Sequence, residues 1–62
     1  MNSESFVGLP KKDAQNLAEM HNLIFRLIRV DNKNMFSYPE DIRDDRVCVE
    51  LDKGKVTKAV LQ

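Results

Sequence analysis

Cysteine, histidine and glycine are scarce in this chain, and each shortage excludes a class of small protein. A single cysteine, Cys48, cannot form an intrachain disulfide, so the 62 residues are not a disulfide-stapled scaffold. One histidine, His21, lies far from that cysteine in the sequence, which argues against a metal site. A domain this small buries a modest core and commonly needs some further support. Self-association is the remaining device, and we therefore expect a homo-oligomer.

Net charge and long apolar runs are absent as well. Ten basic and ten acidic residues cancel, and this balance argues against binding to a nucleic-acid polymer, which favours a net basic surface. No apolar segment approaches the roughly 18 residues of a membrane span. The opening MNSESF lacks the basic and apolar segments of a signal peptide. We expect a cytoplasmic protein that contacts neither a membrane nor a nucleic-acid polymer.

The sequence contains no constellation of catalytic residues. One histidine cannot complete a triad without a nucleophile beside it, and two glycines leave no glycine-rich phosphate loop. His21 is expected to lie at the C-terminal end of a helix, where a cation is favourable. We therefore predict a binding protein with no cofactor rather than an enzyme.

The first third of the chain predicts a short N-terminal arm followed by a helix. Residues 1–7 form the arm, with Phe6 and Val7 packing against the fold. Pro10 suits the first helical turn, and Asn22 suits a left-handed stop. One helical face is formed by residues at the spacing i, i+3, i+4, i+7: Ala14, Leu17, Ala18 and His21.

The remainder predicts strands. The apolar segment 23–30 is typical of a central strand. In the segment 42–61, apolar residues alternate with others on both sides of the Lys53-Gly54 turn, which predicts a β-hairpin. If Val47 and Val49 face the helix, Cys48 faces the other side of the sheet, where it is a candidate subunit contact.

The order of elements predicts a single α+β domain over residues 1–62. One N-terminal helix packs on a small mixed sheet that ends in the C-terminal hairpin. A turn at 31–34 opens an exposed loop that covers residues 31–45. The pattern leaves open whether the strands on either side of this loop run parallel or antiparallel.

Arginines and aromatic residues flank the predicted loop, and they are its candidate ligand-binding groups. Arginine forks bind phosphate well, and aromatic faces stack on bases. The candidates are Arg29, Asn34, Phe36, Tyr38, Arg43 and Arg46. Strict alternation would place Arg26 and Arg29 on opposite faces of their strand.

Each candidate also has a structural interpretation. Arg43 and Arg46 could pair with Asp41, Asp44 and Asp45 and so hold the loop in shape. Phe36 could fill the core while Tyr38 shields the loop. Asn34 could satisfy the backbone of a turn.

One set of residues carries a resemblance to a known group of proteins. The set comprises Gly8, Ala14, Ile28-Arg29, Asp41, Arg43, Asp45-Arg46-Val47, Val49-Glu50 and Gly54-Lys55-Val56. It resembles the I78 and potato inhibitor I group of protease inhibitors, and more closely a set of short phage proteins with the same pattern. The resemblance implies a helix on a sheet, with an exposed loop between two neighbouring strands. It also implies that Arg46 braces the loop through Asp41, while Cys48 stands where a second bracing arginine would be.

The resemblance implies two kinds of partner. Some small phage proteins trap, as oligomers, the nucleotide messengers of bacterial anti-phage systems. The ligand would then be a cyclic dinucleotide or an ADP-ribose derivative, bound in the cytoplasm of an infected bacterial cell. The alternative is a serine protease inhibitor that presents residues 37–42, or an inhibitor that binds some other host enzyme through the same loop.

Overall fold

The computed structural model describes residues 2–62 and contains one α-helix packed on a four-stranded mixed sheet. A 3-10 turn (Ser3–Phe6) precedes the helix α1 (Lys11–Met20). The strands are β1 (Ile24–Val30), β2 (Lys33–Asn34), β3 (Arg46–Asp52) and β4 (Lys55–Leu61). They lie in the order β2-β1-β3-β4. The predicted α+β fold, with an N-terminal helix on a small sheet and a C-terminal hairpin, is confirmed.

The helix begins and ends where its flanking residues predict. Pro10 is its N-cap with extended backbone angles, and its last helical residue is Met20. Asn22 has a φ of 56°, the left-handed conformation expected of a helix stop. Ala14 and Ala18 are fully buried against the sheet, because small side chains allow the helix to approach it closely. His21 is exposed at the C-terminal end.

The two central strands, β1 and β3, are parallel. Their connection runs over residues 31–45, and only its first part is paired. The predicted four-residue turn is shorter in the structure: Asp31 and Asn32 form the turn, and β2 then pairs antiparallel with the end of β1. Asp31 has a φ of 53°, which this tight turn requires. The parallel arrangement therefore sends the rest of the connection back across one face of the sheet.

A β-bulge in β1 changes the faces on which its arginines lie. Arg26 pairs with Cys48 and Arg29 pairs with Glu50, with the irregularity between Leu27 and Arg29. The extra residue of a bulge shifts the alternation of side chains by one position, so two residues that are three apart come to lie on the same face. The expectation that Arg26 and Arg29 lie on opposite faces is therefore wrong. Both lie on the face opposite α1, which we call the distal face.

A second bulge, in β4, shifts the pairing register between β4 and β3. Val56 pairs with Leu51 while Lys58 pairs with Glu50, so Thr57 is the extra residue. Val56, Ala59 and Leu61 consequently face the helix, whereas strict alternation would have grouped Val56 with Val60. Val60 instead pairs with Cys48 on the distal face.

The core lies between α1 and the sheet and is closed by the N-terminal segment. Phe6 is fully buried, as predicted, but Val7 is 49% exposed, so only one of the two arm residues packs inward. The core cluster comprises Phe6, Ala14, Ala18, Val47, Val49, Leu51 and Val56. Cys48 is also fully buried, on the distal face, so it is not the exposed subunit contact considered above.

Candidate functional site

A groove of about 720 Å³ lies on the distal face, and we call it the distal groove. It forms because residues 35–38, which follow β2, fold back over the ends of β1 and β3. The amides of Met35 and Phe36 donate to the carbonyl of Ile28 at 2.8 and 3.2 Å, which fixes this segment to the bulge of β1. Four of the six candidate ligand residues line the groove: Arg29, Asn34, Phe36 and Tyr38. Ile28, Met35, Ser37 and Glu50 complete its lining.

Arg29 lies at the polar end of the groove, and two carboxylates hold it there. Its Nε donates to Oε1 of Glu50 at 2.9 Å, and its two Nη atoms donate to the carboxylate of Asp52 at 2.9 and 2.8 Å. It also donates to the carbonyl of Asp31. Hydrogen bonds from Arg29 and Thr57 lower the pKa of Asp52 to about 2. The hydrogen bonds that Arg29 makes to Asp52 and then to Glu50 raise the pKa of Arg29. The positive charge of Arg29 is therefore compensated before any ligand arrives.

Tyr38 closes one side of the groove through its hydroxyl, which donates a hydrogen bond to Oε2 of Glu50. Burial, followed by this hydrogen bond to a carboxylate, raises the pKa of Tyr38 above its ordinary value. The hydrogen bonds from Tyr38 and Arg29 lower the pKa of Glu50. The Nζ of Lys58 lies over the Tyr38 ring, at 5.5 Å from its centroid. Each oxygen of Glu50 thus accepts one hydrogen bond, from Arg29 and from Tyr38.

Phe36 and Met35 provide the apolar surface of the groove. Phe36 is 56% exposed, so the expectation that it fills the core is wrong. The guanidinium carbon of Arg26 lies 5.1 Å from the centroid of the Phe36 ring, within the range of a cation–π contact. Met35 is 46% exposed beside it. An exposed aromatic ring next to a flexible thioether is a surface on which a planar group can stack.

Arg43 and Arg46 lie outside the groove lining, and each is engaged by its own aspartate. Arg43 forms a bidentate pair with Asp45 at 2.8 and 2.7 Å, with both side chains about half exposed. The hydrogen bonds between these two side chains lower the pKa of Asp45 and raise the pKa of Arg43. Arg46 is only 8% exposed, and it donates to Asp41 at both the carbonyl and the carboxylate. This arrangement matches the structural interpretation of the two arginines as groups that shape the loop.

The loop from 37 to 45 is held to the sheet at its middle, and the C-terminal residue takes part. Arg46 Nε donates to the carbonyl of Gln62 at 2.7 Å, while Gln62 Nε2 donates to the carbonyl of Pro39 at 3.0 Å. The bond from Arg46 lowers the pKa of Asp41. Cys48 lies beneath, and burial raises the pKa of its thiol. Ile42, just beyond these bonds, is 86% exposed.

Several residues of the site were not predicted from the sequence. Asp52, Glu50 and Gln62 carry much of the polar network, yet as strand-end and C-terminal residues they showed no distinctive pattern. The one signal that could have found Glu50 and Asp52 is their spacing: two acidic residues, two apart on a strand, lie on one face, where a cation on the neighbouring strand can pair with both.

Comparisons of the chain with protein-family models, curated proteins and solved structures find no match. The site is therefore interpreted from its own geometry. Within residues 2–62 no group of three or more His, Cys, Asp and Glu side chains could hold a metal ion. No helix in the same part of the chain is long and apolar enough to cross a membrane.

Proposed function

We propose that this chain is a non-enzymatic binding module that sequesters a small nucleotide signal in the distal groove. The observation that carries the proposal is the convergence of Arg29, Asn34, Phe36 and Tyr38 on one groove. In keeping with the resemblance to phage proteins, the setting would be the cytoplasm of an infected bacterial cell. The ligand class would be cyclic nucleotides or ADP-ribose derivatives, which the protein withholds from a host defence system.

The charges of the groove indicate which part of a nucleotide it would hold. Arg29 is the only cation in the lining among residues 2–62, and Glu50 and Asp52 already neutralise it. An additional phosphate there would compete with two carboxylates. A base suits the groove better, because Phe36 and Met35 offer a stacking surface while Asn34 and Ser37 offer hydrogen-bonding groups. The phosphates would therefore face outward, and we propose in addition that a second copy, in a homo-oligomer, supplies the cations that bind them.

A thermal-shift and calorimetric screen against cyclic di- and trinucleotides and ADP-ribose derivatives tests this proposal. A ligand at 100 times its Kd should add about 2.7 kcal/mol to the free energy of unfolding, which is many degrees for a domain of this size. Phe36→Ala removes the stacking surface and should abolish the shift. Ile42→Ala changes an exposed apolar residue outside the groove and should leave the shift intact. A folded protein that gives no shift with any of these ligands would overturn the proposal.

The second candidate is a serine protease inhibitor that presents residues 37–42. The bonds that Arg46 and Gln62 make to Asp41 and Pro39 favour it, because inhibitory loops gain affinity from being held in one conformation. The loop also connects two neighbouring strands, as the resemblance implies, and these strands are parallel. Inhibition assays against proteases of trypsin, chymotrypsin and subtilisin type test this candidate.

Three variants, Phe36→Ala, Ile42→Ala and Asp41→Asn, separate the two functions. If the loop inhibits a protease, Ile42→Ala and Asp41→Asn weaken inhibition while Phe36→Ala has a smaller effect. If the groove sequesters a nucleotide, Phe36→Ala abolishes binding and Ile42→Ala does not.

A further inference from the structure

The sheet has a free edge along the first half of β1, beside a cleft that is separate from the distal groove. β2 pairs only with Arg29 and Val30, so Ile24–Leu27 have a strand partner on the β3 side alone. The amide of Ile24 donates to the carbonyl of Asp45, on the β3 side. Strand alternation therefore directs the amides and carbonyls of Phe25 and Leu27 to the free side.

A cleft of about 380 Å³ follows this edge. The first turns of α1, through Lys11 and Gln15, form one wall, and Phe36 forms the other. Among residues 2–62, the free edge thus lies between a wall from the helix and a wall from the segment that follows β2. Proteins usually cover or blunt such an edge, since its unpaired backbone groups readily accept another strand.

The charges along the cleft are of one sign. Its lining within residues 2–62 contains Lys11 and Arg26 and no carboxylate. Arg26 makes no ion pair in this part of the chain, in contrast to Arg29, Arg43 and Arg46. Its Nε is buried and has no hydrogen-bond partner. Arg26 therefore keeps a positive charge that no carboxylate in residues 2–62 compensates, and an acidic side chain beside its guanidinium would offset it.

We propose that the free edge of β1 binds an extended acidic segment of a partner protein by strand addition. The added strand pairs with the backbone of Phe25 and Leu27. On the distal face, one of its side chains lies beside Arg26 and is acidic. The alternate side chains, on the helix face, lie beside Phe25 and the stems of Lys11 and Gln15, and they are apolar.

A second copy of this chain is the other occupant to consider. Antiparallel pairing of two β1 edges would bring two Arg26 side chains onto one face of a pairing only four residues long. Like charges on neighbouring cross-strand positions are destabilising. The charge of the cleft therefore favours an acidic partner over self-pairing.

Blocked synthetic peptides provide the probe, with the sequence Ser-Val-Glu-Val-Glu-Val-Ser and a matched peptide in which Lys replaces Glu. The Glu peptide should bind about tenfold or more tightly, because opposite charges attract across a strand pair and like charges repel. Hydrogen exchange read by NMR should slow at the amides of Phe25 and Leu27 when it binds. Every second amide of the bound peptide faces the edge. N-methylation of these amides should abolish binding, and N-methylation of the other amides should leave it intact.

Charge reversal at Arg26 separates recognition from a general effect on folding. Arg26→Glu should invert the preference so that the Lys peptide binds more tightly, which a merely destabilised protein would not do. Equal binding of the two peptides, or binding without protection of Phe25 and Leu27, would overturn the proposal. So would protection of these amides in the peptide-free protein together with a dimer in sedimentation, because a second copy would then occupy the edge.

Discussion

Glu50 accepts hydrogen bonds from both Arg29 and Tyr38, and the shape of the distal groove depends on that double contact. Its position results from the bulge in β1, which places Arg29 opposite Glu50. With one oxygen bonded to each partner, the carboxylate fixes Arg29 and Tyr38 relative to each other. Removing Glu50 should therefore loosen both groups at once.

The titration of Tyr38 tests this arrangement directly, because Tyr38 is the only tyrosine of the chain. Burial and the bond to Glu50 raise its pKa above the ordinary 10.0, so its contribution to stability is complete below about pH 10 and is lost as the pH rises through the folded-state pKa. Glu50→Gln should move the tyrosinate absorbance midpoint part of the way back toward 10.0. Asp41→Asn, a carboxylate outside the groove, should leave it unchanged. An unaltered midpoint in Glu50→Gln would contradict the hydrogen bond.

Asp52 should make the folded protein sensitive to acid. Its pKa falls from 3.8 to about 2 on folding, so its contribution is present above pH 3.8 and disappears as the pH falls toward 2. Asp52→Asn should therefore lower the urea midpoint near neutral pH, and the difference from the wild type should shrink toward pH 2. Glu40→Gln is the control, since Glu40 makes no ion pair within residues 2–62. A difference that does not change with pH would show that Arg29 contributes nothing through Asp52.

Among the elements, β4 gives the clearest test of the bulges. Val56 is 1% exposed and belongs to the core, whereas Val60 is half-buried on the distal face. Val56→Ala should cost about 2 kcal/mol of unfolding free energy, because it removes buried methyl groups and leaves a cavity. Val60→Ala should cost less than about 1 kcal/mol. Equal losses of unfolding free energy in the two variants, measured by urea denaturation, would indicate that β4 has no bulge and that both valines lie on one face.

The bulges also mark how far the fold could be predicted. Local signals were sufficient for α1 and for the hairpin. Pro10 and Asn22 mark the two ends of the helix, and Lys53-Gly54 forms the turn. The faces of Arg26, Arg29 and Val60 depend on pairing between distant strands, where one inserted residue reverses every later position. The position of Phe36 depends in turn on the parallel pairing of β1 with β3, which no local pattern fixes. Half of the residues that line the groove could therefore be named from the sequence, but their convergence on one groove could not.

At the scale of the whole molecule, stability and the two candidate surfaces depend on different parts of one sheet. The core faces α1, the groove lies on the distal face, and the free edge of β1 lies between Lys11 and Phe36. Within the described part of the chain, residues 2–62, Phe36 is the one residue that borders both candidate surfaces. A ligand in the groove that orders Phe36 would therefore alter peptide binding at the edge, and the two bindings can be measured together to detect that coupling.

Arg46 connects three parts of the molecule, namely the loop through Asp41, the start of β3, and the chain end through Gln62. Arg46→Ala removes three hydrogen bonds from a charged donor that is 8% exposed, so we expect a loss of about 2–4 kcal/mol in unfolding free energy. A domain of 62 residues has only a few kcal/mol to lose, and the variant should melt far below the wild type. Arg43→Ala is the matched control: it breaks an exposed pair of comparable length, which is worth less than about 1 kcal/mol. The loss of unfolding free energy, measured by thermal and urea unfolding, should therefore be severalfold larger for Arg46→Ala than for Arg43→Ala. If they are destabilised equally, Arg46 does not hold the loop and the chain end to the sheet, and the case for a braced inhibitory loop fails with it.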